Sequence, residues 1–261
     1  MRAAWAGALC CAALLLSACR APEEEIDDLQ SARTAIAERQ WSRAERLLGR
    51  YLREERQPER RWQAWLALLT VLEVSGDPRA NLDYLEAMLE EFADDDAKSR
   101  AILLRIGRQN ERLRRYDRAA DTWIAYLNVP GVTSGESLFG YRRLSAALFQ
   151  LRRFKAAEEA LQQCLALPLD DAVKNVCTYD LADQYLARGR WNEAADLARQ
   201  LVDDEPEGAL RALAGFVLAD ALEQLGRTSE ALAQFEAIRD SYPNPGVIDN
   251  RIACLKKNRK K

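Results

Sequence analysis

The feature that most constrains this chain is a recurrence. An aromatic-x-x-Ala step appears as Trp41 to Ala44, Tyr116 to Ala119, Phe154 to Ala157 and Trp191 to Ala194, with weaker copies at Pro78 to Asn81 and Thr228 to Ala231. Successive copies lie 37 or 38 residues apart. In the unit from Val176 to Pro206, Leu181, Ala182 and Tyr185 recur at helical spacing before Gly189. Trp191, Ala194, Ala195, Leu197, Ala198 and Leu201 recur after it. That is a helical hairpin with one apolar face, too small to bury that face alone, so the copies must stack on one another. The period predicts helix pairs near 26–38 and 41–55, 60–75 and 78–92, 98–113 and 116–128, 137–151 and 154–167, 172–188 and 191–203, and 208–225 and 228–241.

With a small residue in the first helix (Ala32, Gly107, Ser145, Ala182, Ala219), the pattern resembles the tetratricopeptide repeat family. Its turn holds Gly76, Gly189 and Gly226, and the unit ends at or near Pro58, Pro130, Pro168, Pro206 and Pro243. The resemblance implies an all-α fold, a right-handed superhelix of about six hairpins over residues 26–245, with helix A of each hairpin lining a concave face. It departs from the family in a period longer than about 34 residues. The second copy also lacks the aromatic and the alanine. Shared positions in this family are packing positions, so the resemblance speaks to fold and to protein binding in general.

Composition narrows the functions. The chain has no histidine, which removes the commonest general base and neutral metal ligand and any Ser-His or Cys-His triad. No glycine-rich phosphate loop and no GxSxG elbow is present. A net charge of -3 gives no nucleic-acid footprint. The sequence therefore predicts no catalysis, no cofactor, no metal site and no small-molecule substrate.

The N-terminus carries its own signal. Arg2, an apolar run from Ala3 to Leu16 and then Ser17-Ala18-Cys19 form a secretory signal too short to span a membrane. Leu16-Ser17-Ala18-Cys19 looks like the bacterial lipobox. That resemblance implies a signal peptide over 1–18, acylation of Cys19, and a membrane anchor made durable by more than one acyl chain. Arg20, in place of the aspartate that retains many such proteins at the inner membrane, points by the same resemblance to the periplasmic face of the outer membrane. Residues 19–25 form a short tether, and 246–261 a capping segment with the basic tail Lys256 to Lys261. Outer-membrane β-barrel assembly lipoproteins and Tol-Pal repeat proteins share this plan. Type IV pilus assembly lipoproteins and adaptors of cell-wall enzymes are the alternatives.

Cys164 and Cys177 lie nearly symmetrically about the turn near Pro168, a placement compatible with a disulfide in an oxidising compartment or with two small buried thiols. Asp94-Asp95-Asp96 and Asp203-Asp204-Glu205 sit where helices begin, a position the helix dipole favours for acids. The family's geometry places Arg105, Arg108, Arg112, Phe139, Arg142, Phe149, Tyr179, Asp183, Phe216, Asp220 and Glu223 on the concave face. Arginine and aromatic residues dominate binding hot spots, so the expected partner is a protein or peptide of the cell envelope. The face is expected to be basic in the middle and acidic towards the end.

Overall fold

In the computed structural model, residues 27–75, 78–204 and 208–258 are described. Among them every regular element is an α-helix: α1 (Asp28–Ala37), α2 (Trp41–Glu54), α3 (Pro58–Ser75), α4 (Pro78–Glu91), α5 (Asp96–Arg112), α6 (Tyr116–Asn128), α7 (Ser134–Gln150), α8 (Phe154–Leu165), α9 (Asp171–Ala187), α10 (Trp191–Asp204), α11 (Ala209–Gln224), α12 (Thr228–Ile238) and α13 (Pro245–Asn258). The first twelve are six A–B hairpins in chain order, in the phase the recurrence predicts. The signal, Cys19, the tether, Gly76 and Pro206 lie outside the described residues.

Local chemistry explains where helices start. The Asp95 side chain accepts a hydrogen bond from the Lys98 amide at 3.0 Å, which sets the start of α5. Helix α7 begins at Ser134, three residues before the start the recurrence predicts. There the Thr133 hydroxyl accepts from the Glu136 amide at 3.2 Å, and the Glu136 carboxylate accepts from the Thr133 amide at 2.8 Å, a reciprocal cap. Only 129–133 is left to join α6 to α7, and the two helices pack on each other. Two compact units meet between Tyr84 and Leu85, inside α4.

In the first unit Ala32, Ala35, Ala44 and Leu48 are buried, and Trp65 meets Tyr84 edge-on with ring centroids 6.2 Å apart. The weak second copy has a visible cost. Asn81 takes the place of the buried alanine, and its Oδ1 is buried without a hydrogen-bond partner.

In the second unit Ala119, Ala157, Ala194 and Ala231, the recurring helix-B alanines, are all fully buried. A Cβ on Gly107 would stand 2.6 Å from the Trp123 ring, so only glycine permits the close approach of α5 and α6. Ser145 does the same job with a hydroxyl that donates to the Ala157 carbonyl at 2.7 Å and accepts from Gln184 Nε2 at 2.8 Å. Cys164 of α8 and Cys177 of α9 are joined by a disulfide. Helix α13 buries Ile248 and Leu255 and packs against α12, closing the last hairpin.

The A–B turns of this unit share one backbone motif. In each, an amide bonds back to a carbonyl five residues earlier: Arg115 to Asn110 at 2.8 Å, Arg153 to Leu148 at 3.0 Å, Arg190 to Tyr185 at 2.9 Å and Arg227 to Leu222 at 2.8 Å. The residue before each is in the left-handed region, at Arg114 (φ 57), Arg152 (φ 59), Gly189 (φ 74) and Gly226 (φ 74). This is a Schellman-type ending that satisfies the last carbonyls of helix A.

Candidate protein-binding site

The A helices α5, α7, α9 and α11 carry the residues the sequence placed on a binding face. Between α7 and α9 lies a pocket of about 350 Å³ lined by Phe139, Arg142, Arg143, Phe149, Asp180 and Asp183, with Ala146, Gln150 and Gln184 completing it. Of the residues expected on the concave face, Phe139, Arg142, Phe149 and Asp183 line this pocket together.

Ion pairs between neighbouring A helices shape the walls. The Arg142 guanidinium donates to both Asp180 oxygens, at 2.5 and 3.1 Å, a fork-to-fork pair that fixes α7 against α9. Arg143 pairs with Glu111 of α5 through Nε at 3.0 Å, and the same carboxylate accepts from Trp123 Nε1 at 2.9 Å. Burial lowers the Arg143 pKa, with the like charge of Arg108 adding to it. Arg108 itself is exposed and lies over the Phe139 ring at 5.4 Å from its centroid. No carboxylate among the described residues pairs with it.

The rest of the expected set is spread out. Arg105 is half-buried and donates to its own helix at the Ala101 carbonyl, 3.0 Å away. Arg112 is exposed, with a long 3.5 Å contact to Gln109. Phe149 contacts Phe154 with centroids 5.2 Å apart. Tyr179 is packed against the core, and burial pushes its hydroxyl up to about 12. Phe216 does not face an open groove: it lies between Phe235 and Tyr242, stacked on the latter at 5.1 Å, and holds α11 to α12. Asp220 and Glu223 are both engaged by the one guanidinium of Arg251 on α13, so the capping helix offsets about half of the charge at the expected acidic end.

Asp183 differs from these acids. Its surface reaches solvent, yet the protein packed around it and then the neighbouring Asp180 carboxylate raise its pKa above the ordinary aspartate range. Sequence reasoning missed Arg143, Asp180 and Gln184. A signal was available for Arg143 alone, which lies four residues after Phe139 and three before Ala146 on α7; Asp180 and Gln184 come from α9, across the interface. Among the described residues no cluster of three or more metal-ligating side chains could hold an ion, and no helix is long and apolar enough to cross a membrane.

Comparison with known proteins supports the architecture. No curated protein matches the chain. Among solved structures, a tetratricopeptide repeat protein from Parabacteroides merdae is similar, with a TM-score of 0.61 and 14% identity over 89% of this chain and 86% of that one. The apo form of RapI has a TM-score of 0.65 and 10% identity, covering 89% and 71%. PilF of Pseudomonas aeruginosa has a TM-score of 0.53 and 13% identity, covering 88% and 96%. At such identities these likenesses are of fold alone. The tetratricopeptide repeat profile TPR_16 matches residues 29–96 and 179–244, just over half of the sequence, and the chain therefore belongs to the tetratricopeptide repeat family.

Proposed function

We propose that this tetratricopeptide scaffold is a lipid-anchored, non-catalytic protein of the bacterial envelope that captures an acidic segment of a protein partner at the α7–α9 pocket. The observation that carries the binding reading is Arg108. It is an exposed guanidinium with no carboxylate partner, held over Phe139 at the rim of a pocket whose other cations are already paired. An incoming carboxylate gains a charge-assisted hydrogen bond there, and Phe139 and Phe149 offer ring contact to the apolar residues beside it. The lipobox-like sequence at Cys19 supports the anchor, and Arg20 supports the periplasmic face of the outer membrane as its place.

The test is crosslinking in cells with the anchor intact, followed by detergent solubilisation and co-purification, on the parent chain and on Arg108→Ala. A barrel-assembly, Tol-Pal, pilus or murein protein recovered with the parent should be depleted roughly tenfold with the variant, the loss expected from removing one such hot spot. Recovery at full strength with Arg108→Ala sinks the pocket reading. For the anchor, Cys19→Ser should abolish lipid labelling and membrane fractionation, and unchanged labelling refutes it.

A further inference from the structure

The A–B turns of hairpins three and four carry arginine where helix chemistry disfavours it. Arg115 and Arg153 are the N-cap residues of α6 and α8, and neither side chain makes a capping hydrogen bond. Serine, threonine, aspartate or asparagine is favoured there, and a cation opposes the positive end of the helix dipole. Arg114 and Arg152, one residue earlier, adopt the left-handed backbone that glycine takes most easily. All four are exposed, and no carboxylate among the described residues pairs with any of them.

The next two turns show that the motif itself does not require this. Gly189 and Gly226 occupy the left-handed position, and the cap arginines are compensated three residues on, Arg190 by Glu193 at 2.9 Å and Arg227 by Glu230 at 2.6 Å. The residue three after Arg115 is Arg118, and three after Arg153 is Ala156. Asp117 is the one acid from Arg112 to Arg118, and beside Arg153 the Lys155 ammonium pairs with Glu159 at 3.7 Å, leaving Arg152 and Arg153 as the uncompensated cations of that turn.

Because the turns are short, consecutive helices run antiparallel and these A–B turns share one edge of the second unit. The B–A turns, on the opposite edge, carry Asp94, Asp95 and Asp96, Asp170 and Asp171, and Asp203 and Asp204. The two edges are therefore opposite in sign. The basic edge also carries aromatic residues at the first position of helix B, with Trp191 37% exposed, the mixture found where proteins meet lipid headgroups. Between the fourth and fifth turns a cleft of about 530 Å³ is lined by Arg152, Arg188, Phe149 and Phe154. Arg188 there is already paired with Glu158 at 3.7 Å, so Arg152 is the cation the cleft sets beside an apolar floor without a carboxylate partner among the described residues.

We propose that this edge, centred on Arg114, Arg115, Arg152 and Arg153, docks on the anionic headgroups of a phospholipid bilayer. Paired arginines on successive turn tips suit a surface of delocalised negative charge with no fixed register. A single-stranded nucleic acid would need successive free rings to stack on; of the aromatics that open helix B on this edge only Trp191 is exposed, and Phe154 is already engaged by Phe149 and by Arg188, 4.7 Å away. The acidic edge then points away from the membrane. The surface belongs to the folded array rather than to the lipid at Cys19; its cleft shares Phe149 and Gln150 with the α7–α9 pocket, but its four arginines do not line that pocket.

The full chain in its Cys19→Ser form, so that no acyl chain contributes, is sedimented with vesicles of phosphatidylcholine alone and with about one third phosphatidylglycerol. Residues 1–26 are common to every variant and cancel in the comparison. Phosphatidylglycerol should raise partitioning of the parent. Removing two arginines, as Arg114→Gln with Arg115→Gln or Arg152→Gln with Arg153→Gln, should lower that gain roughly 30-fold, about fivefold per arginine. Arg190→Gln with Arg227→Gln removes the same charge from compensated turns and should retain the gain within about threefold. Arg108→Ala should retain it too, which separates this surface from the pocket, and circular dichroism melts should show the turn variants at least as stable as the parent. No effect of phosphatidylglycerol, or an equal loss in the compensated control, overturns the proposal. So does an acidic protein that crosslinks through these four arginines while vesicle binding ignores them.

Discussion

Hairpins five and six complete each A–B turn with a left-handed glycine and an arginine paired to a glutamate, whereas hairpins three and four, on the same backbone, use two exposed arginines without partners. The contrast recurs on the A-helix face. There Arg251 of α13 binds Asp220 and Glu223 of hairpin six, while Arg108 of hairpin three has a ring beneath it and no carboxylate. Since the backbone motif is satisfied equally in all four turns, folding does not account for the difference. Positions that break a local rule without a compensating contact are where a fold serves something other than its own stability. Hairpins three and four are therefore the half of the second unit whose turn arginines stand unpaired, and hairpins five and six, which also supply the α9 wall of the pocket, the half whose cap arginines are paired.

The join between these halves should give the largest effect. The disulfide between Cys164 and Cys177 ties α8 of the fourth hairpin to α9 of the fifth across a separation of 13 residues. Closing a loop of that size constrains the unfolded chain by about 3 kcal/mol. Cys164→Ala with Cys177→Ala should lower denaturant stability by about that amount. Reduction followed by alkylation should add mass at both cysteines beyond alkylation alone. A double variant as stable as the parent would mean that packing of α8 on α9 is sufficient, and that the two halves need no staple.

Smaller effects should come from the face itself, and they separate structural from unengaged charge. Arg142→Ala leaves Asp180 half-buried, unpaired and near Asp183, and should cost about 1 to 2 kcal/mol in thermal or chemical unfolding. Arg108→Ala breaks no ion pair and should change stability by less than about 0.5 kcal/mol. If the two variants melt alike, Arg108 is as structural as Arg142, and the division between the halves fails on this face.

Much of the fold was legible because the recurrence reports packing. Ala119, Ala157, Ala194 and Ala231 could be placed at helix–helix contacts from spacing alone, and all are fully buried. The start of α7 was less legible. Thr133 and Glu136 lie in a run that also contains a proline and two glycines, and a reciprocal cap competes there with loop chemistry. Among candidate site residues, Phe139, Arg142 and Phe149 could be placed together by helical period. What one sequence could not give was the partner across the interface. Arg142 meets Asp180 38 residues away, and Arg251 reaches Asp220 from a helix outside the repeat pattern. Phe216 illustrates the same gap, because helical period puts it on a face without saying whether Tyr242 covers it.

The turns permit a direct exchange between halves. Arg115→Ser and Arg153→Ser supply the missing caps of α6 and α8 and should each raise stability by about 0.5 to 1 kcal/mol. Gly189→Arg imposes on the fifth hairpin the left-handed arginine of the third and fourth, and should cost about 1 kcal/mol. Thermal melting of the three variants reads both directions. A loss from the serine substitutions would show that Arg115 or Arg153 supports its helix through contacts of its own, and would remove the ground for treating those turns as functional.

The smallest effect is a change with pH at Asp183, the acid of the α7–α9 pocket that no arginine among the described residues neutralises. Its pKa is raised by burial and then by Asp180, so the folded protein holds this proton more tightly than the unfolded chain does. The resulting stabilisation is fully present below the ordinary aspartate range, near pH 3.9. It is lost as pH rises through the higher folded value. At neutral pH an ionised Asp183 sits in a setting that favours the neutral acid. Asp183→Asn should therefore be more stable than the parent at pH 7, and the advantage should shrink to nothing at about pH 3.5. An acidic partner entering beside Arg108 should also bind the variant more tightly at pH 7, because one repulsive charge has gone from the pocket. If the Asp183→Asn and parent stability curves run parallel from pH 3.5 to 7, Asp183 is solvated as freely as a surface acid, and the pocket carries less uncompensated charge than its geometry implies.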